Sequence, residues 1–129
     1  MQLHRFPIPQ YDAELVLLHG TADAMSSIVA SGKIPVKAFG DFIEAEDEVL
    51  YGSTSDVFGG TTTRRTVYVF ISSDQSPAEK RGTIVHELLH AVVRIMTDIG
   101  QPITPTSDEP AAYLLEWANR EFCKACRLR

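Results

Sequence analysis

The stretch from Ser76 to Gly100, "SPAEKRGTIVHELLHAVVRIMTDIG", constrains this chain more than any other. Ser76 and Glu79 stand at capping-box spacing, and Pro77 falls at the first helical position, where a missing N–H costs nothing. Helical spacing then holds until Gly100, a residue suited to the left-handed turn that ends a helix. The spacing predicts a helix over about 77–99, which Gly82 weakens only a little. Leu88, Ala91 and Ile95 form one apolar stripe; Val85, Leu89, Val92 and Met96 form another. A helix apolar on most sides belongs inside a fold, so Leu88, Leu89, Val92, Ile95 and Met96 are expected in the core. Set into that apolar centre are His86, Glu87 and His90.

The rest of the chain supplies elements to pack on this helix. "AELVLLHG" (13–20) is a short apolar run closed by Gly20 and reads as a strand. "TADAMSSIVASGK" (21–33) has a Thr cap, helical spacing and a terminal Gly32. "RTVYVFIS" (65–72) is the clearest strand, and its apolar residues on both faces predict cover on both. From Ile34 to Gly60, Pro35, Gly40, Gly52, Gly59 and Gly60 punctuate loops, with short strands near 36–39 and 48–51. "FGGTTTRR" (58–65) reads as a turn and hairpin, since it lacks the Lys-Ser/Thr of a phosphate loop. The three prolines of "QPITPTSDEP" (101–110) mark a loop. Ser107 or Asp108 then caps a second helix, about 108–126, with Ala112, Leu115 and Phe122 facing the core. Arg120, Lys124, Arg127 and Arg129 gather near its end, where cations suit the helix dipole.

His86 and His90 are four apart, so a helix stacks both imidazoles on one face. Each can present a nitrogen about 2.0–2.1 Å from a common point, which suits zinc. Glu87 is offset by about 100° around the axis. That places it poorly as a ligand and well as a general base for a water at the ion. A catalytic zinc needs a third protein ligand and one open position. His4 and His19 sit in no recognisable pattern and read as surface or satisfied polar groups. The remaining candidates are Glu109, nineteen residues after His90, Glu116 two turns further on, and Asp98, which better supports the edge of the site. A carboxylate third ligand keeps the ion Lewis-acidic and lets its water titrate near neutrality. Cys123 and Cys126 form a lone CxxC, read as two reduced thiols.

"HELLH" followed by "SDEPAAYLLEW" resembles the zincin metallopeptidases of gluzincin type, in which a glutamate is the third ligand. Closer still is the likeness to small phage and prophage proteins with HExxH, an Ile-Gly turn and then D-E-A/P-x-A-Y-L; here those parts are "HELLH", "DIG" and "DEPAAYL". The resemblance spans roughly residues 66–117. It implies Glu109 rather than Glu116 as the ligand. It also implies that "TVYVFIS" is an edge strand along the cleft, open to pairing with extended substrate. The chain departs from the larger relatives at Tyr113, where they often carry an aspartate that orients a histidine; Asp108 is a substitute. Tyr113, Tyr68 and Tyr51 are the candidates for an oxyanion-stabilising side chain. The chain has no room for the substrate-binding subdomains of those peptidases.

With 129 residues the chain is expected to form one domain, 1–129. It carries 44% apolar and 22% charged residues, a net charge of −5 and a pI near 5.3. That balance gives no reason to seek nucleic acid or an anionic membrane. The acidic run "DFIEAEDE" (41–48) reads as a solvated surface. No signal peptide or transmembrane run is evident, which with reduced thiols predicts a cytoplasmic protein, in the resemblance a phage or prophage product in its bacterial host. The expected fold is α+β, a minimal zincin-like domain: a small twisted mixed sheet packed on a long HExxH helix and a second C-terminal helix. The expected function is zinc-dependent hydrolysis of a peptide or amide bond in a peptide or protein substrate. His86, His90 and Glu109 hold Zn2+, and Glu87 is the catalytic base and acid. The rival expectation is a zinc-stabilised phage or prophage binding module without turnover.

Overall fold

The computed structural model describes residues 1–34, 52–58 and 65–128. Its strands are β1 (Gln2–Ile8), β2 (Ala13–Gly20), β3 (Gly52–Phe58) and β4 (Arg65–Ser72); its helices are α1 (Ala22–Ala30), α2 (Pro77–Asp98) and α3 (Glu109–Ala125). The result is a small α+β fold. Both strands expected at 13–20 and 65–72 are present with those bounds. The strands near 36–39 and 48–51, the acidic run and Tyr51 lie outside the described residues.

The four strands form one mixed sheet in the order β1-β2-β4-β3. β1 and β2 are antiparallel, β2 and β4 parallel, and β4 and β3 antiparallel. Phe58 pairs with Arg65 at one end of the antiparallel β3–β4 ladder, as a hairpin requires, and the turn read between them lies outside the described residues. β4 is therefore an interior strand. The edge-strand role that the resemblance implied for "TVYVFIS" falls instead to β3, because β4 already pairs on both sides. β1 was not foreseen; Pro7 removes a donor from the ladder, and an edge strand tolerates that. β1 and β2 are joined by a turn over Pro9–Tyr11, closed by Asp12 at φ 47°, a left-handed position that Asp accepts more readily than most residues.

Strand alternation splits the interior in two. Leu15 and Leu17 of β2 and Val67, Val69 and Ile71 of β4 face α2 and α3, with Leu88, Val92, Ile95 and Phe122. Val16, Leu18, Tyr68 and Phe70 turn to the other face, onto Met25 and Val29 of α1. The sheet is thus covered on both sides, as the apolar run of β4 requires.

The capping box of α2 forms as expected: Glu79 N donates to Ser76 Oγ at 3.2 Å, and Ser76 N donates to Glu79 Oε2 at 2.9 Å. One expectation for α2 fails. Val85, Leu89 and Val93 are 46%, 53% and 42% exposed, so Leu89 is not core and the helix is buried on one side only. Leu88, Val92, Ile95 and Met96 are buried as expected. On α3 the buried stripe is Ala111, Leu114, Ala118 and Phe122, one step from the expected Ala112 and Leu115. Asp108 sits at the cap position, although its side chain makes no capping bond. No helix among the described residues is long and apolar enough to cross a membrane.

Candidate metal and acid–base site

α2 presents His86 and His90 on its outer face, and their Nε2 atoms stand 3.3 Å apart. The rings are 5.0 Å between centroids and inclined at 72°. Two nitrogens bound at 2.0–2.1 Å to one tetrahedral ion are separated by about 3.3–3.4 Å. The separation of the pair thus matches two corners of a zinc site. The same separation suits an N–H···N bond between neutral rings when no cation is shared. The His86 side chain is 69% exposed, so the face that would meet an ion also meets solvent.

Glu87 lies on the flank of the histidine row and is only 7% exposed. β3 packs against this flank. Thr54 Oγ1 lies 2.5 Å from Glu87 Oε2 and 3.1 Å from the Glu87 carbonyl oxygen. Its single proton goes to the carboxylate oxygen, the shorter contact. The other carboxylate oxygen, Oε1, is 3.9 Å from His86 Nε2. β3 reaches this close because of Gly52. A Cβ there would stand 2.6 Å from Thr83 Cγ2 and 2.9 Å from Glu87 Cγ. Between β3 and α2 is a cleft of about 550 Å³, lined by Gly52, Gln75, Glu79, Gly82 and Thr83 and opening on His86 and Glu87.

Glu109 is the first residue of α3 and is exposed. α2 and α3 share one core, in which Leu88, Val92 and Ile95 cluster with Leu114, Ala118 and Phe122. Among the described residues no three His, Cys, Asp or Glu side chains are grouped to hold a metal ion. Glu109 is therefore not gathered with His86 and His90. Arg120 Nη2 donates to Glu116 Oε1 at 2.7 Å. Glu116 also lines a separate cleft with Gln10, Tyr11 and Trp117. Asp98 accepts from Arg65 at the start of β4, and so ties the end of α2 to the sheet.

Other sequence expectations resolve plainly. Tyr68 faces α1 on the far side of the sheet and cannot serve this site; Tyr113 is 66% exposed on α3. Trp117 packs edge-on to Phe6 at 6.4 Å, and Phe122 is fully buried. Cys123 and Cys126 are free thiols, and burial pushes the Cys126 thiol up to about 11. The reading of His4 and His19 as satisfied is corrected: both Nε2 atoms are buried without a hydrogen-bond partner among the described residues. Burial, then Lys80, His4 and the chain's N-terminus, lower the pKa of His19.

Thr54 and Gly52 were missed because β3 was not read as a strand. A weak signal was present: "GSTSDVF" places small residues at alternate positions 52 and 54, the face a helix can approach closely. Comparison with protein-family models, with curated protein sequences and with solved structures finds no match.

Proposed function

We propose that this chain is a zinc-dependent hydrolase of metallopeptidase type, acting on a peptide or amide carbonyl. The observation that carries the reading is the 3.3 Å separation of the His86 and His90 Nε2 atoms beside the buried Glu87 carboxylate. His86 and His90 are the ligands in this reading, and Glu109 is the third-ligand candidate on the strength of the resemblance. A zinc ion supplies Lewis acidity at the carbonyl and makes a water acidic enough to lose a proton near neutral pH. Glu87 accepts that proton and later returns it to the leaving amine, a role that needs a carboxylate at the edge of the cleft rather than in its middle. The β3 wall excludes water from the back of the carboxylate, and the cleft in front of it leaves room for an extended chain.

The rival, a zinc-stabilised module without turnover, calls for a closed set of four donors. The exposed His86 ring leaves that side of the histidine pair open to solvent, which supports an open position instead. The deciding experiment is metal analysis with a peptide-library cleavage assay on wild type and Glu87→Gln. Zinc in both proteins and cleavage only by wild type is the expected result. Zinc binding without cleavage by wild type would transfer support to the module; no zinc in wild type would end both readings.

A further inference from the structure

We propose that Thr54 on β3 is the positioning residue for Glu87, locking its Oε2 so that Oε1 alone is turned to the histidine pair. The clamp stands on geometry. The Thr54 hydroxyl is 2.5 Å from Oε2, while Oε1 is the oxygen 3.9 Å from His86 Nε2. A glutamate side chain has three rotatable bonds, and burying one leaves its carboxylate in need of donors. Thr54 supplies one such donor, to Oε2. Gly52, two residues along the same face of β3, clears the space that lets the strand come this near. The partner positions in the sheet agree: Gly52 pairs with Ile71 and Thr54 with Val69, and both of those face α2. The device is therefore a hydroxyl and a gap at alternate strand positions, built to hold one helix side chain.

Its chemical consequence rests on the proposed reading of Glu87 as the proton carrier. If Oε2 is engaged by a neutral donor, proton traffic belongs to Oε1, and the proton arrives at a fixed place. A carboxylate free to swing would lose the near-attack geometry, and a misplacement of about 1 Å costs on the order of 100-fold in rate. Substrate binding would be little affected, because Thr54 is not among the residues that line the cleft.

The test uses the full chain and two variants. Thr54→Val keeps shape and strand propensity but removes the donor; Thr54→Ser keeps the donor. The first readout is independent of activity: three-bond couplings along the Glu87 side chain by NMR, read in metal-free protein. Wild type and Thr54→Ser are expected to show one rotamer, and Thr54→Val an averaged value. The second readout is kinetic. Thr54→Val should lower kcat about 10- to 100-fold with KM and zinc content unchanged, and Thr54→Ser should recover most of it. Unchanged couplings in a folded Thr54→Val would overturn the clamp, as would averaged couplings with an unchanged kcat. Averaged couplings in a protein that never cleaves any peptide would uphold the clamp and sink the hydrolase reading, so the two failures are distinguishable.

Discussion

Adding one methyl group to Gly52 tests the packing on which the site depends. The Cβ of Gly52→Ala would meet Thr83 Cγ2 at 2.6 Å, Glu87 Cγ at 2.9 Å and Glu87 Oε1 at 3.3 Å. Carbon atoms sit comfortably about 3.5–4.0 Å apart, so β3 must retreat by roughly 1 Å or α2 must bend. Overpacking of this kind costs about 1–3 kcal/mol. Alanine's stiffer unfolded chain offsets about 0.4–1 kcal/mol, which leaves a loss of about 1–2 kcal/mol. At about 2.1 cal/mol/K per residue, 129 residues give an unfolding entropy near 0.27 kcal/mol/K, so Tm should fall by about 4–8 °C. Gly82→Ala is the internal control. It lies in α2 with nothing within 4 Å of its added Cβ, and alanine's helix propensity should raise stability by about 0.5–1 kcal/mol, or Tm by about 2–4 °C. Thermal melts followed by circular dichroism read both. A Gly52→Ala protein as stable as wild type would show that β3 does not lie against Thr83 and Glu87, and the account of the Glu87 wall would fall with it.

Leu88→Ala, in the fully buried stripe, should cost about 2–5 kcal/mol in urea unfolding, whereas the half-exposed Leu89→Ala should stay within about 0.5–1 kcal/mol; equal losses would contradict the one-sided burial of α2. His19 predicts a pH effect. Its folded pKa is below the unfolded 6.5, so above 6.5 both states are neutral and the group is silent. Below 6.5 the unfolded chain takes up a proton that the fold resists, and stability drops until the pH passes the folded value. His19→Leu should flatten that acid slope in denaturation curves; an unchanged slope would remove His19 as its source. Metal analysis after dialysis should find Glu109→Ala depleted of zinc and Glu116→Ala loaded, and the reverse result would reassign the third ligand.

Long-range order was legible where local chemistry and periodicity agreed. The Ser76–Glu79 box and Gly100 bracketed α2, and β-branched runs marked β2 and β4, because caps, stops and strand propensity are properties of a few neighbouring residues. β1 and β3 were harder to see. Each is an edge strand with polar or Pro-interrupted spacing, so neither carries the continuous apolar run that marked β2 and β4. The same distinction separates Leu88 from Leu89. Apolar spacing marked both as core, but which side of a helix is covered depends on where the sheet and α3 lie.

The residues alone determined that two imidazoles and a carboxylate share one helix, because a spacing of four and an offset of one translate directly into faces of a 3.6-residue turn. Tertiary structure decided the rest of the site. It brought the small face of β3 against Glu87 and gave that carboxylate its hydroxyl partner in Thr54. Those are relations between elements separated by tens of residues, and packing, not spacing, fixes distances across such gaps.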